Sequence, residues 1–301
     1  MKIGMSSYCL TPAMRTGRKS IYDVIDFAKQ NGCEHIEFVP FFLPFVNENN
    51  ELNRELIDNV REKCKNSDIE ISTYSVNADI IKPDRDERAA EIYRVKKHID
   101  VAHHLGLKRM RHDIASFRRP FSTNGMINFI RELPLMVEGT RELHDYAASL
   151  GIHTTLENHG FFVNGSDRMI MLIDALDRPE IKMTLDVGNF LCVDEISEAA
   201  VRKCIQYADI IHLKDFYIRE KSDLSNQAEM FNCNDGSWFE TMGGKLLRGS
   251  ILGQGDLNLN VILSIIKSSG FDGYISLEFE GMELCEQGTE ISLQMAQDRL
   301  K

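Results

Sequence analysis

Eight short runs of strand-forming residues alternate with eight longer runs of helical spacing along the 301 residues of this chain. The strand candidates are KIGMSSYCL, HIEFVPFF, IEISTYSVNADI, LKRMRHDIAS, HTTLENHG, IKMTLDVGN, DIIHLKD and YISLEFEG. Between them, Ser20 caps a pattern in which Ile21, Val24, Ile25 and Ala28 share one helical face. Similar patterns run from about Asn53 to Asn66, through Ile92, Val95, Ile99 and Ala102, and from about Asn124 to Leu150, with Pro134 as a kink or restart. Others begin at Ser166, cover Glu195 to Tyr207 and Leu257 to Ser269, and close the chain after Glu283. Apolar residues three and four apart mark a helix face, and short β-branched or aromatic runs bounded by turn residues mark strands.

Regular alternation of strand and helix predicts an α/β fold with a parallel sheet. Eight repeats predict a single (β/α)8 TIM barrel spanning residues 1–301. An open doubly wound sheet is the alternative, weakened because no GxGxxG follows the first strand and no phosphate-cradling loop occurs. The rhythm breaks once, in a long loop after strand 7. Residues 216–256 are rich in Asn, Asp, Ser and Gly and too long for a default connection. Trp238, Phe239 and Met242 within it predict a lid over the barrel mouth or an interface insertion against another subunit, with a disordered excursion as the plain alternative.

The net charge of −11 sets the mean field against nucleic acid unless basic residues cluster locally. The seven cysteines are scattered, with no CxxC pair, which reads as reduced thiols. The amino-terminal MKIGMSSYCLTPAM has no apolar run long enough for a signal peptide or a membrane span. A cytoplasmic protein with no membrane partner is the expectation.

Function is legible at the strand ends. HTTLENHG presents Glu157, IKMTLDVGN presents Asp186, DIIHLKD presents His212 and YISLEFEG presents Glu278. In a parallel barrel all carboxyl ends of the strands meet at one mouth. Three carboxylates and an imidazole there suit one six-coordinate divalent ion with open positions for substrate oxygens: Mn2+ first, Mg2+ or Co2+ as alternatives. Each residue alone has a plainer reading. A strand-end glutamate pairs with a lysine or with water, Asp186 holds a turn, and His212 is a satisfied core histidine. Their joint placement argues otherwise, because converging buried carboxylates repel without a cation. His112, at the exit of the fourth strand beside Arg111 and Asp113, is a candidate second base or acid, or a partner of Asp113. His159, Lys214 and Glu37 are candidate substrate contacts, with Lys214 and Asp215 alternatively forming a local ion pair.

As a set, LENHG around Glu157, LDVGN around Asp186, HLKD around His212, LGQGDLN from residue 252 and LEFEG around Glu278 resemble the xylose isomerase-like TIM barrels. That superfamily is often labelled sugar phosphate isomerase/epimerase, and its relatives include ketose 3-epimerases, inosose dehydratase and endonuclease IV. The resemblance covers nearly the whole chain. It implies a divalent metal on Glu157, Asp186, His212 and Glu278, with Glu157 and Glu278 also serving as acid and base on opposite faces of a sugar. Many relatives carry a histidine three residues beyond the aspartate, where this chain has Asn189, a candidate substrate contact instead. That departure weakens direct transfer of an epimerase mechanism and counts against an endonuclease.

A metal that chelates a carbonyl oxygen and a neighbouring hydroxyl acidifies the carbon-bound proton between them. The expected function is therefore a metal-dependent isomerase or epimerase of a sugar or keto-sugar, acting on a small carbohydrate with no nucleic acid. With a leaving group β to the carbonyl, the same chemistry makes a lyase. The candidate for that branch is an inosose dehydratase or, through His112, a resemblance to C-glycoside deglycosidase subunits acting on 3-oxo-glycosides. A non-catalytic sugar-binding or partner subunit is the alternative of another class. A homo-oligomer, or a hetero-oligomer with a second subunit, is expected.

Overall fold

The structure, a computed structural model, describes residues 1–221 and 238–300. Its strands are β1 (Lys2–Ser6), β2 (His35–Phe38), β3 (Glu70–Val76), β4 (Arg109–His112), β5 (His153–Glu157), β6 (Lys182–Asp186), β7 (Ala208–Leu213), β8 (Asp215–Arg219), β9 (Phe239–Glu240), β10 (Leu246–Ser250) and β11 (Tyr274–Leu277). Eight of them close a barrel in the order β1-β11-β7-β6-β5-β4-β3-β2, each parallel to its neighbours. This is the TIM barrel expected from the alternation.

The helices form where the periodicity places them. Ser20 and Asp23 make a reciprocal capping box at the start of Ile21–Gln30, satisfying amide donors that a helix start leaves unpaired. Met126–Ser149 runs unbroken through Pro134. The first strand candidate ends early: its SYCL forms a 3-10 turn at Ser7–Leu10, and a short helix follows at Thr11–Arg15, started by Pro12. The main core lies between the barrel and its helices, where Val24, Ile57, Val95, Leu143, Leu172 and Ile262 are buried. Inside the barrel, His35 bonds Ser72 Oγ at 2.9 Å and the Ile275 carbonyl at 3.1 Å. Gly4 makes room for it, since a Cβ there would stand 2.1 Å from the His35 carbonyl oxygen.

The break in rhythm after β7 is more than a loop. Its described part is a three-stranded antiparallel sheet in the order β8-β10-β9, and β8 begins only one residue after β7 ends. Residues 222–237 of the expected lid or interface segment lie outside the described residues. The sheet is tied to the barrel mouth at two places. Gly249 of β10 bridges Gly281 beyond β11, an approach so close that a Cβ at 249 would stand 2.5 Å from the Glu280 carbonyl oxygen. Asp194 accepts bonds from Thr241 Oγ1 at 2.8 Å and the Gly243 amide at 2.5 Å, which docks the sheet on the turn that follows β6.

Candidate metal centre

Glu157, Asp186, His212 and Glu278 come from β5, β6, β7 and just past β11, four adjacent positions around the barrel. All four are buried, and each offers a ligand atom within 4.8 Å of the others. His212 is the informative member. Its Nε2 lies 2.9 Å from the Glu37 carboxylate, and both side chains are fully buried. The bond to Glu37 directs Nδ1 toward the cluster, 3.4 Å from Glu278, 3.5 Å from Glu157 and 3.9 Å from Asp186. Nδ1 has no hydrogen-bond partner. Burial favours a neutral ring, but Glu37, Glu278 and Glu157 outweigh it and raise the His212 pKa well above its usual value. A cation at the centre would take the place of that proton. An orphaned buried ring nitrogen facing three carboxylates therefore fits a divalent ion.

The carboxylates are held in place individually. Asp186 Oδ1 accepts the Gly188 and Asn189 amides at 2.8 Å each. Burial pushes its pKa up to about 6, with Glu157 and Glu278 adding to the rise against Lys214. Glu157 Oε1 accepts from Asn189 Nδ2 at 3.0 Å, and its Oε2 lies 2.5 Å from the Arg111 guanidinium. Burial works against its charged form, yet Arg111 and His212 hold its carboxyl well below the usual carboxylate range. Lys214 Nζ spans Glu278 Oε2 at 2.8 Å and Asp186 Oδ2 at 3.1 Å.

The centre opens into a cavity of about 440 Å3. Of the expected substrate contacts, His159, Lys214 and Asn189 line it. His159 Nδ1 is bound to Asp113 at 3.0 Å, and Asp113 also accepts from Arg111 at 2.6 Å. Two expectations meet a different geometry. Glu37 is fully buried, bonded to His212 and to Ser75, and does not line the cavity, so it positions the His212 ring. His112 does not reach the cavity either. Neighbouring residues on a strand face opposite sides, so with Arg111 turned inward to Glu157, His112 faces the helix layer. There it is fully buried, its Nδ1 bonded to the Asp113 carbonyl at 2.9 Å and its pKa pushed down to about 4 by burial.

Sequence reading passes over Arg111, Asp113 and Tyr8 as site residues. The first pair is recoverable from the period of two along RMRHD. Tyr8 donates to Glu280 at 2.9 Å, and both line the cavity; that contact joins opposite ends of the chain and has no local signal. Asp215, read as a substrate contact or half of an ion pair, instead accepts the amides of Phe216, Gly253, Gly255 and Leu257 at 2.9 to 3.2 Å, organising the LGQGDL stretch.

The model of a family described as "Xylose isomerase-like TIM barrel" matches residues 25–299. No curated protein matches the sequence closely enough to count as a relative. Among solved structures, D-psicose 3-epimerase with D-tagatose from Clostridium cellulolyticum H10 superposes with a TM-score of 0.72 at 14% identity, covering 100% of both chains. The probable 3-DHS dehydratase AsbF, involved in petrobactin synthesis in Bacillus anthracis, gives a TM-score of 0.72 at 16% identity over 99% of both chains. A xylose isomerase-like TIM barrel protein from Mycobacterium smegmatis, in complex with magnesium, gives 0.68 at 18% identity, covering 93% of this chain and 89% of its own. At these identities the likeness is one of fold. No helix of the described residues is long and apolar enough to cross a membrane.

Proposed function

The chain belongs to the xylose isomerase-like TIM barrel family, and on that premise we propose that it is a divalent-metal-dependent isomerase or epimerase of a sugar or keto-sugar. The observation that carries the proposal is the unpartnered Nδ1 of His212, aimed by Glu37 at three buried carboxylates. Glu157, Asp186, His212 and Glu278 would hold the ion, with Mn2+ preferred and Mg2+ or Co2+ as alternatives. When bound, it would polarise substrate oxygens and stabilise negative charge developing beside a carbonyl. Glu157 and Glu278 then flank the reacting carbon. One removes the proton and the other returns it, which inverts the centre. Lys214, against Glu278, would supply or accept a proton at that carboxylate, and His159, held by Asp113, would fix a sugar hydroxyl. The β8-β10-β9 insertion would shield the mouth from water.

A second reading, elimination by a lyase, has its own support. Arg111 occupies Glu157 Oε2 at 2.5 Å, which leaves the Glu278–Lys214 pair as the freer proton carrier. Elimination needs proton removal on one face only. Proton exchange in D2O, followed by NMR with Mn2+ and a panel of ketoses, inososes and 3-oxo-glycosides, separates the two. Deuterium entering beside a carbonyl with the skeleton retained supports the isomerase, and loss of water or an aglycone supports the lyase. Silence across the panel with metal bound would remove both.

A further inference from the structure

The last register pair between β5 and β6 is Glu157 with Thr184, two residues short of Asp186. On its other flank Asp186 pairs with His212 of β7. The barrel sheet thus fixes Asp186 from the β7 side alone, and on the β5 side a side chain takes the place of a strand. Asn158 Oδ1 accepts the Asp186 amide at 2.9 Å, and Asn158 Nδ2 donates to the Asp186 carbonyl at 2.9 Å. A carboxamide offers an acceptor and a donor side by side, so it closes both bonds at once, as a peptide group would. Asn158 and Asp186 are both 0% exposed, so water does not compete for these bonds.

The clamp is itself held. Asn158 Nδ2 also lies 3.5 Å from Asn164 Oδ1, and Asn164 Nδ2 donates to the Gly160 and Asn189 carbonyls at 2.7 Å each. Asn189 in turn gives its backbone amide to Asp186 Oδ1 and its side-chain Nδ2 to Glu157 Oε1. The bonds form a circuit from Glu157 through its neighbour Asn158 to Asp186, on to Asn189 and back to Glu157. It ties the ends of β5 and β6 together where their ladder has stopped, and it contains two of the four clustered residues. Neither Asn158 nor Asn164 lines the cavity. We propose that Asn158 is a positioning residue of the metal centre, resting on the reading of Glu157, Asp186, His212 and Glu278 as that centre: it sets the separation of Glu157 and Asp186 so that both reach one ion. Because Asp186 Oδ1 is bound to the Gly188 and Asn189 amides, a shift of the Asp186 backbone carries the carboxylate with it. A site of this kind works only while its ligands stay within roughly 0.5 Å of the required geometry.

Metal binding tests the proposal without any turnover. Asn158→Leu keeps the volume and removes both bonds. Asn158→Ala removes them too but leaves room for a water to bridge the stranded groups, and it carries the test if the leucine variant does not fold. Chelator-stripped parent and variants are titrated with Mn2+ by calorimetry, at a temperature where circular dichroism shows each one folded, and the bound ion is read by electron paramagnetic resonance, which reports the symmetry of its ligands. In Asn158→Leu the Mn2+ affinity falls about 10- to 100-fold and the resonance of the bound ion changes shape; Asn158→Ala moves the same way by a smaller factor. A lowered melting temperature with parent-like affinity and a parent-like spectrum in every folded variant means that Asn158 supports only the fold, and overturns the proposal. The two failures are distinguishable. A parent that binds no Mn2+ removes the metal reading and the proposal with it, whereas a binding parent with unchanged variants removes the proposal alone.

Discussion

His212 gives its Nε2 to Glu37 at 2.9 Å, deep enough that neither side chain meets solvent, and this one bond decides which ring nitrogen faces the three carboxylates. Hydrogen-bonded carboxylates behind a ligating histidine fix its orientation and raise its basicity. Glu37→Gln keeps an acceptor but removes the charge. We expect Mn2+ affinity to fall roughly 10- to 100-fold, read by calorimetry. Unchanged affinity would mean that Glu37 is only filling space behind the ring.

Glu157 and Glu278 are the proposed proton carriers. Glu157→Gln and Glu278→Gln should each lower turnover by roughly 10²- to 10⁴-fold while circular dichroism and melting stay close to the parent. Full activity in either variant removes that residue from the acid/base pair. The split between the variants is informative, since Arg111 holds one glutamate and Lys214 the other.

Stability should fall steeply in mild acid. Burial pushes His35, His98 and His112 each down to about 4 from an ordinary 6.5. Each stays neutral in the fold while the unfolded chain takes up a proton. Their contribution is therefore complete above about 6.5, is lost as pH falls toward about 4, and amounts to on the order of 3 kcal/mol each. His98 bonds the Tyr74 hydroxyl through Nδ1 at 2.8 Å, a position that an asparagine side chain can imitate. His98→Asn should lower Tm at neutral pH yet flatten its decline between pH 7 and pH 4.5. A decline as steep as the parent's would contradict this assignment.

Asp215 gathers four backbone amides, one in a buried bond and three in part-buried ones, so its loss strands several donors at once. Asp215→Ala should cost roughly 3 kcal/mol in urea unfolding, and Asp215→Asn less, because the amide oxygen still accepts. Equal stability of the alanine variant and the parent would show that solvent satisfies those amides.

The barrel and the cluster of Glu157, Asp186, His212 and Glu278 are legible in sequence for the same reason. Each of the four ends an apolar run, and a parallel barrel brings all such ends to one mouth, so local pattern determines a long-range cluster. His112 and Glu37 lie where residue chemistry alone does not place them, His112 as a partner of Asp113 and Glu37 behind His212. An imidazole draws the eye, but the period of two turns Arg111 inward and His112 outward, and Glu37 near the end of β2 is covered by His212, which reaches it across the barrel from β7. The insertion is visible as a break in rhythm. Its folding into a sheet is not, because β8, β9 and β10 are short and pair across Asn- and Gly-rich sequence that carries no strand signal.

The account stands or falls on the ion. Protein stripped with chelator should bind one Mn2+ per chain by calorimetry, with release of about one proton near neutral pH, because the ion displaces the proton that Glu37, Glu278 and Glu157 hold on His212. Asp186→Asn should weaken that binding severely. No binding in the parent, or binding untouched by Asp186→Asn, would contradict the assignment of Glu157, Asp186, His212 and Glu278 as a metal centre.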